Sequence, residues 1–216
     1  MDDIKISYDE SFKDSLLYNA AWSWKSVSRY QYKFLYGYRK QVYTLLLSFS
    51  ADEFLHLSGF QYLKDLAVPR YNSSKLFRGI LDGSITQAQI EKGMQYESLV
   101  RPRLSALLSI KDILDNSFTL FSFKPRMYPF VTNIKADYLI SSTYKGQAFV
   151  FLFGGSPKSV TRDCICRSIF IMDGRDYEEN QRPYAILKKT RTDLSTNEES
   201  VLFVKPGFED PSGSSA

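Results

Sequence analysis

The chain is poor in the residues that build metal sites and disulfides, with one histidine and two cysteines among 216 residues. A tetrahedral zinc site of Cys and His side chains needs more ligands than these, so counting excludes a structural zinc centre. Cys164 and Cys166 lie two apart in a predicted strand, where their side chains share a face without the geometry of an easy disulfide. We therefore expect reduced thiols and no metal site.

Long apolar runs are also absent. The chain contains no stretch of about 18 apolar residues, the length that a membrane-spanning helix needs. Its first residues, MDDIK, lack the basic and then apolar pattern of a signal peptide. The sequence thus predicts a cytoplasmic protein that does not associate with a membrane.

Three common catalytic motifs are missing as well. The chain has no G-x-x-x-x-G-K-[ST] phosphate loop, no G-x-G-x-x-G after a strand and no G-x-S-x-G elbow. These absences exclude an NTPase, a dinucleotide-dependent enzyme and a serine hydrolase of the usual kinds. They leave no signal for a bound cofactor.

The composition is that of one globular α+β domain. Hydrophobic residues make up 44% of the chain, enough for an ordinary core, and the 15 Tyr and 16 Phe suit sheet faces better than a helical bundle. The Gly-, Ser- and Pro-rich segment 206–216 predicts a disordered tail, which leaves 1–205 as the single domain. The net charge of +4 is compatible with a polyanionic partner without requiring one.

The first half of the chain predicts an N-terminal helix, a β-hairpin and a helical middle. Apolar residues recur at helical spacing over 9–27, and alternating aromatic residues then predict strands 30–38 and 42–49 around a turn. Four further helices are predicted over 54–66, 74–81, 86–100 and 104–114.

The second half predicts an antiparallel β-meander. Its strands are expected over 118–123, 134–142, 147–153, 165–172, 184–190 and 200–204, separated by turn-forming pairs such as Lys145-Gly146, Gly154-Gly155 and Asp173-Gly174. The run AFVFLF at 148–153 is apolar on both faces, so it should form a central strand that is covered on both sides.

His56 is the first candidate for chemistry, because imidazole is the one side chain whose ordinary pKa lies near neutrality. The structural alternative is a packed core histidine, since His56 would share a helix face with Gly59, Phe60 and Leu63. Spacing alone does not decide between the two.

Charged residues on the predicted strands are further candidates. Lys135 and Asp137 should lie together on one face of 134–142, and Arg167 should lie on the face opposite Ser168. Such charges ordinarily face water. A basic and aromatic cluster near the C-terminus could neutralise phosphates and stack a base, or could simply protect a sheet edge from aggregation; it comprises Arg182, Tyr184, Lys188, Lys189 and Arg191.

Three segments together resemble a known family. They are FLHLSG at 54–59 after the hairpin, T-x-I-x-ADYLI at 132–140, and CRSIF at 166–170. The chain, over roughly 30–204, resembles a phage- and prophage-associated family of the barnase, EndoU, colicin-type and RelE-like (BECR) nuclease superfamily. The resemblance implies a BECR-like α+β fold.

The resemblance also implies metal-independent RNA cleavage by attack of the ribose 2′-hydroxyl on the adjacent phosphorus. That chemistry needs a base, cations around the phosphate and a proton for the leaving oxygen. His56, Lys135 and Tyr184 are the residues we assign to catalysis. RNA, with tRNA as one candidate, would be the substrate, and an antitoxin or immunity protein is a candidate partner. The substrate-binding residues would be Tyr138, Arg167, Arg182, Lys188 and Arg191.

One alternative keeps the same scaffold without catalysis. A single histidine and a modest net charge are also compatible with a module that binds RNA, a nucleotide signal or a protein. The chain lacks a second histidine and a clear cationic trio on one strand, so the residues do not assign an acid–base pair. A third possibility is an interaction subunit whose many aromatic residues form an interface.

Overall fold

The structure is a computed structural model that describes residues 11–144, 148–154, 159–171 and 174–210. Helices precede or interrupt the strands in the first half of the chain. They are α1 (Leu16–Val27), α2 (Phe54–Leu57), α3 (Ser73–Leu81), α4 (Gln87–Ile90), α5 (Arg101–Leu108) and α6 (Ile110–Asp115). Single turns of 3-10 helix lie at Ser11–Asp14, Ala51–Glu53, Phe60–Tyr62, Val68–Arg70 and Pro125–Met127, and a π-helical turn at Tyr96–Val100.

The strands form one mixed sheet. They are β1 (Tyr30–Tyr38), β2 (Gln41–Ser48), β3 (Thr119–Ser122), β4 (Tyr138–Ser142), β5 (Ala148–Gly154), β6 (Thr161–Ile171), β7 (Arg182–Asp193) and β8 (Glu199–Val204). The predicted α+β class is thus confirmed.

The predicted meander is wrong as a description of the whole second half, because the sheet closes on itself. Strands β3 to β6 are antiparallel neighbours in chain order, but β6 then pairs in parallel with β2. Strand β7 crosses back to pair with β3 and with β1, which closes the strand order β1-β2-β6-β5-β4-β3-β7. These long-range pairings carry no local sequence signal, and β8 is added to β7 outside the ring.

The predicted single helix over 54–66 is wrong, because the chain leaves the helix at Gly59. Gly59 has φ 82°, a left-handed conformation that favours glycine, and the helix α2 has ended at Leu57. The predicted helix over 86–100 is also broken, into α4 and the π-helical turn. Short helices of this kind depend on packing for their stability, so local periodicity overestimated their length.

Two apolar clusters hold the fold together. The larger one joins the helices to the inner face of the sheet, with the fully buried Trp24 donating its indole N–H to the Ser50 carbonyl at 2.9 Å. The smaller one lies on the outer face, where Phe149, Phe151 and Tyr177 pack together. Val150 and Leu152 belong to the larger cluster, so the prediction that the run 148–153 is covered on both sides is confirmed for 148–152. It is wrong at Phe153, whose side chain is exposed near the end of β5.

The two cysteines are free and buried, with Cys164 and Cys166 both in the larger cluster. Part of the predicted tail is described: the Asp210 carboxylate pairs with the Lys188 ammonium at 2.9 Å. Residues 211–216 lie outside the described residues. Over the described part of the chain, no helix is long and apolar enough to cross a membrane.

Candidate active site

A pocket of about 830 Å³ opens beside β6, on the side where helices α2 and α5 pack against that strand. The loop 131–135 and the segment around Arg175 complete its walls. Five of its lining side chains are cationic or can become so, and no carboxylate belongs to the described lining; the five are His56, Arg103, Lys135, Arg167 and Arg175. This combination favours an anionic ligand.

His56 reaches the pocket because α2 is anchored through its other faces. A capping box between Ser50 and Glu53 starts the preceding turn, and Phe54 and Leu57 are buried in the core. His56 itself is exposed, so the alternative of a packed core histidine is wrong. Partial burial against the pocket wall lowers the pKa of His56 below 6.5, and the charges of Arg167 and Arg103 act in the same direction, while a backbone hydrogen bond with Arg167 opposes them.

Arg167 enters the pocket through a β-bulge. In the pairing of β5 with β6, Phe151 faces Ser168 and Leu152 faces Cys166, which leaves Arg167 as the extra residue. A bulge redirects side chains and interrupts the alternation of faces. Arg167 and Ser168 therefore line the same pocket, and the prediction that they lie on opposite faces is wrong.

Lys135 lies in the loop before β4, so its prediction as a strand residue is also wrong. The strand begins at Tyr138, and Ile134 and Ala136 are held by packing against the outer cluster rather than by strand pairing. Lys135 is exposed and lines the pocket with His56 and Arg167. Asp137 is exposed and accepts a hydrogen bond from the Gly154 amide at 2.9 Å.

Sequence reasoning missed Arg103, Arg175 and Tyr62. The Arg103 guanidinium donates to the Leu99 carbonyl at 2.6 Å and lies 5.2 Å from the centre of the Tyr62 ring. Arg175 donates to the Tyr177 hydroxyl at 3.3 Å. These residues come from separate segments without a shared spacing, so no local pattern marks them as members of one site.

A comparison with family models identifies the chain. A model described as phage-Barnase-EndoU-ColicinE5/D-RelE like nuclease4 matches residues 16–205. The chain belongs to this family. The matched range contains every residue that lines the pocket. No curated protein matches the chain, and no solved structure matches it.

In this BECR-family chain, three of the predicted substrate or catalytic residues lie at a second location. Tyr138, Tyr184 and Arg182 gather where β4 and β7 begin, and none of them lines the pocket. Tyr138 is buried, and its hydroxyl is hydrogen-bonded to that of Tyr36 at 2.9 Å and accepts from Arg162 at 2.6 Å. Tyr184 packs on Tyr36 with a ring separation of 4.7 Å.

The two remaining residues that were predicted to bind substrate, Lys188 and Arg191, form ion pairs within the BECR fold. Lys188 pairs with Asp210, and Arg191 pairs with Asp115 at 2.6 Å. Neither belongs to the pocket lining. Among the residues that the structure describes, no group of three or more His, Cys, Asp or Glu side chains could hold a metal ion.

Proposed function

We propose that this BECR-family protein is a metal-independent RNA endonuclease of phage or prophage origin, acting as a toxin or in phage–host conflict. The observation that carries the proposal is the pocket that holds the one histidine of the chain among four Lys and Arg side chains. A ribose phosphate needs both kinds of group, because a base must activate the 2′-hydroxyl and cations must stabilise the charged phosphorane.

His56 acts as the general base. Its lowered pKa keeps the imidazole neutral at pH 7, so a nitrogen lone pair is available to take the 2′-hydroxyl proton. The 2′-oxygen then forms a bond to phosphorus as the bond to the 5′-oxygen breaks. Arg167 stabilises the charge that develops on the phosphoryl oxygens, and the Lys135 ammonium delivers a proton to the leaving oxygen. The products are a 2′,3′-cyclic phosphate and a free 5′-hydroxyl.

The first experiment tests this chemistry directly. Purified protein is incubated with tRNA and with total RNA in EDTA, and the ends of the fragments are analysed. We expect cleavage that continues in EDTA and leaves 2′,3′-cyclic phosphate ends. Intact RNA across all substrates, or fragments with 3′-hydroxyl ends, would contradict the proposal.

Variants of the pocket cations test the assignment of roles. Loss of one preorganised charge-stabilising group costs about 100- to 1,000-fold in kcat in well-studied enzymes, and loss of a positioned proton donor costs a similar factor. We expect a loss of this order for Arg167→Gln and for Lys135→Gln, with unchanged thermal melting because both side chains are exposed. The control is Lys75→Gln on α3, an exposed lysine outside the pocket lining, which should cleave as the wild type does.

A second candidate function is RNA or nucleotide binding without turnover. It is favoured by the single imidazole among the described lining residues, because acid–base catalysis commonly uses two titratable groups. Binding that weakens with salt, together with unchanged RNA after long incubation, would support this function instead.

A further inference from the structure

A second basic surface lies at one open end of the closed sheet. The strands β1, β3 and β5 end there, and β2, β4, β6 and β7 begin there. We call the side chains at this end the mouth cluster. Its members are Tyr38, Arg39, Lys40, Tyr43, Arg162, Arg182 and Tyr184.

The turn between β1 and β2 holds its two central residues, Arg39 and Lys40, in a strained backbone conformation. Tyr38 pairs with Gln41, and the two residues between them have positive φ angles of 50° for Arg39 and 62° for Lys40. Two-residue turns of this geometry strongly prefer Asn-Gly, because residues with larger side chains are strained in the left-handed region. Arg39 and Lys40 are exposed and occupy a turn whose backbone favours Asn and Gly. This indicates that their positive charge has a function.

Contacts with arginine side chains and with each other hold the tyrosine rings of the mouth cluster in place. The guanidinium carbons of Arg39 and Arg182 lie 5.2 and 4.8 Å from the centre of the Tyr38 ring. Tyr38 in turn packs edge-on against Tyr184 at 5.5 Å. Underneath, Arg162 is hydrogen-bonded to the buried Tyr138 hydroxyl. Guanidinium planes and tyrosine rings at a surface are groups on which unpaired bases stack.

The mouth cluster is linked to the pocket by the segment that leads into β4. Lys135 lines the pocket, and Tyr138, three residues later, lies beneath the mouth cluster. Three residues span at most about 11 Å of chain, so one RNA strand can contact both places. The exposed carboxylates within three residues of Tyr138, Arg162 or Arg182 along the chain are Asp137, Asp163 and Glu179. Against these three stand four Lys and Arg side chains of the mouth cluster.

We propose that the mouth cluster is a second RNA-binding surface, which holds single-stranded nucleotides flanking the phosphate in the pocket. The proposal rests on RNA being the substrate, as proposed above. Arg39, Lys40 and Arg182 contact phosphates, and Tyr38 and Tyr184 stack bases.

The test exploits the opposite effects that one double variant should have on stability and on binding. Arg39→Asn combined with Lys40→Gly gives the turn the residues that its backbone prefers, so Tm should rise by about 2–4 °C. The same variant removes two phosphate contacts. For a labelled single-stranded RNA, the slope of log K against log salt should become shallower by about 1.4, and affinity should fall about 25-fold at 0.1 M salt.

Binding is measured by fluorescence anisotropy with His56→Ala present in all proteins, so that the RNA is not cut. The charge-matched control is Lys75→Gln combined with Arg78→Gln, two exposed cations on α3. It should leave the affinity near that of the parent. Arg182→Gln, which leaves the turn unchanged, should weaken binding by about 5-fold at 0.1 M salt.

The outcomes separate this proposal from the proposed function. A higher Tm with unchanged RNA affinity and salt slope, while the parent still binds RNA, would overturn the mouth-cluster proposal alone. Parent protein that binds no RNA would overturn both. If the double variant melts at a lower temperature than the parent, its RNA affinity no longer tests the proposal, and the affinity of Arg182→Gln is used instead. Unchanged RNA affinity in Arg182→Gln would then overturn the mouth-cluster proposal.

Discussion

Asp115 should contribute more to stability than any surface ion pair of this protein that the structure describes. Its carboxylate accepts hydrogen bonds from the Tyr32 hydroxyl at 2.7 Å and from Arg191 at 2.6 Å, and it also pairs with Lys111. Tyr32 is fully buried, and the Asp115 and Arg191 side chains are only 19% and 20% exposed. In Asp115→Ala, a buried hydroxyl and a largely desolvated guanidinium lose their shared partner.

The size of the effect follows from these contacts. Removing one partner of a buried pair costs about 3–5 kcal/mol, and partial access of water lowers the expected loss here to about 2–4 kcal/mol. For a chain of this size, that loss corresponds to a fall in Tm of about 5–15 °C. Urea and thermal unfolding at pH 7 measure it. The matched control is Glu97→Ala, which removes an exposed pair with Arg101 and should cost about 0.5 kcal/mol or less.

The same carboxylate predicts an acid dependence. Burial acts to raise the pKa of Asp115, but its hydrogen bonds with Lys111 and Tyr32 outweigh burial, so the pKa lies below its usual range. A lowered carboxyl pKa contributes stability above the unfolded value of about 3.9, and this contribution is lost as the pH falls through the folded pKa. The difference between wild type and Asp115→Ala should therefore shrink below about pH 4. An Asp115→Ala protein that melts within 2 °C of the Glu97→Ala control would refute the reasoning.

Three further predictions concern the pocket and the core. If His56 is the base, the cleavage rate should reach half of its plateau below pH 6.5, because its pKa is lowered; a rate that reaches half of its plateau only above pH 7 would exclude this role. Burial lowers the pKa of Lys189 to about 8, so the unfolded chain binds more protons at this side chain between pH 8 and 10. The free energy of unfolding of the wild type minus that of Lys189→Met should therefore rise by up to about 1.4 kcal/mol per pH unit; the difference is the quantity to measure, because the buried Cys164 and Cys166 thiols, whose pKa is raised, act in the opposite direction in both proteins. Gly59→Ala should lower Tm by about 2–8 °C and displace Arg103, because φ is 82° at this position and the added Cβ would lie 2.9 Å from the Arg103 Cδ. The control is Gly207→Ala, which also has a positive φ but open space around it. It should lower Tm by less and leave the pocket intact.

Much of the fold was predictable where the signal is local. The turn residues Arg39 and Lys40 lie between two alternating strands, and the doubly apolar run at 148–152 is buried on both faces. Closure of the sheet was not predictable, because the pairing of β7 with β1 joins residues more than about 140 positions apart and has no counterpart in local periodicity.

The candidate site was predictable only in part, for the same reason. His56 and Lys135 stand out by residue type, and the structure brings them into one pocket with Arg167. The position of Arg167 depends on a bulge that exists only in the pairing with β5. Arg191 resembles a phosphate ligand in sequence, yet the structure pairs it with Asp115, because a distant helix supplies the carboxylate.

RNA cleavage by His56 variants tests the central claim most directly. Wild type, His56→Ala and His56→Gln are compared in EDTA on the same RNA, with thermal melting and RNA binding measured for each protein. The account predicts that both variants melt and bind RNA as the wild type does, while cleavage falls about 100-fold or more. Folded variants that cleave at the wild-type rate, or a wild-type protein that leaves the RNA intact, would contradict it.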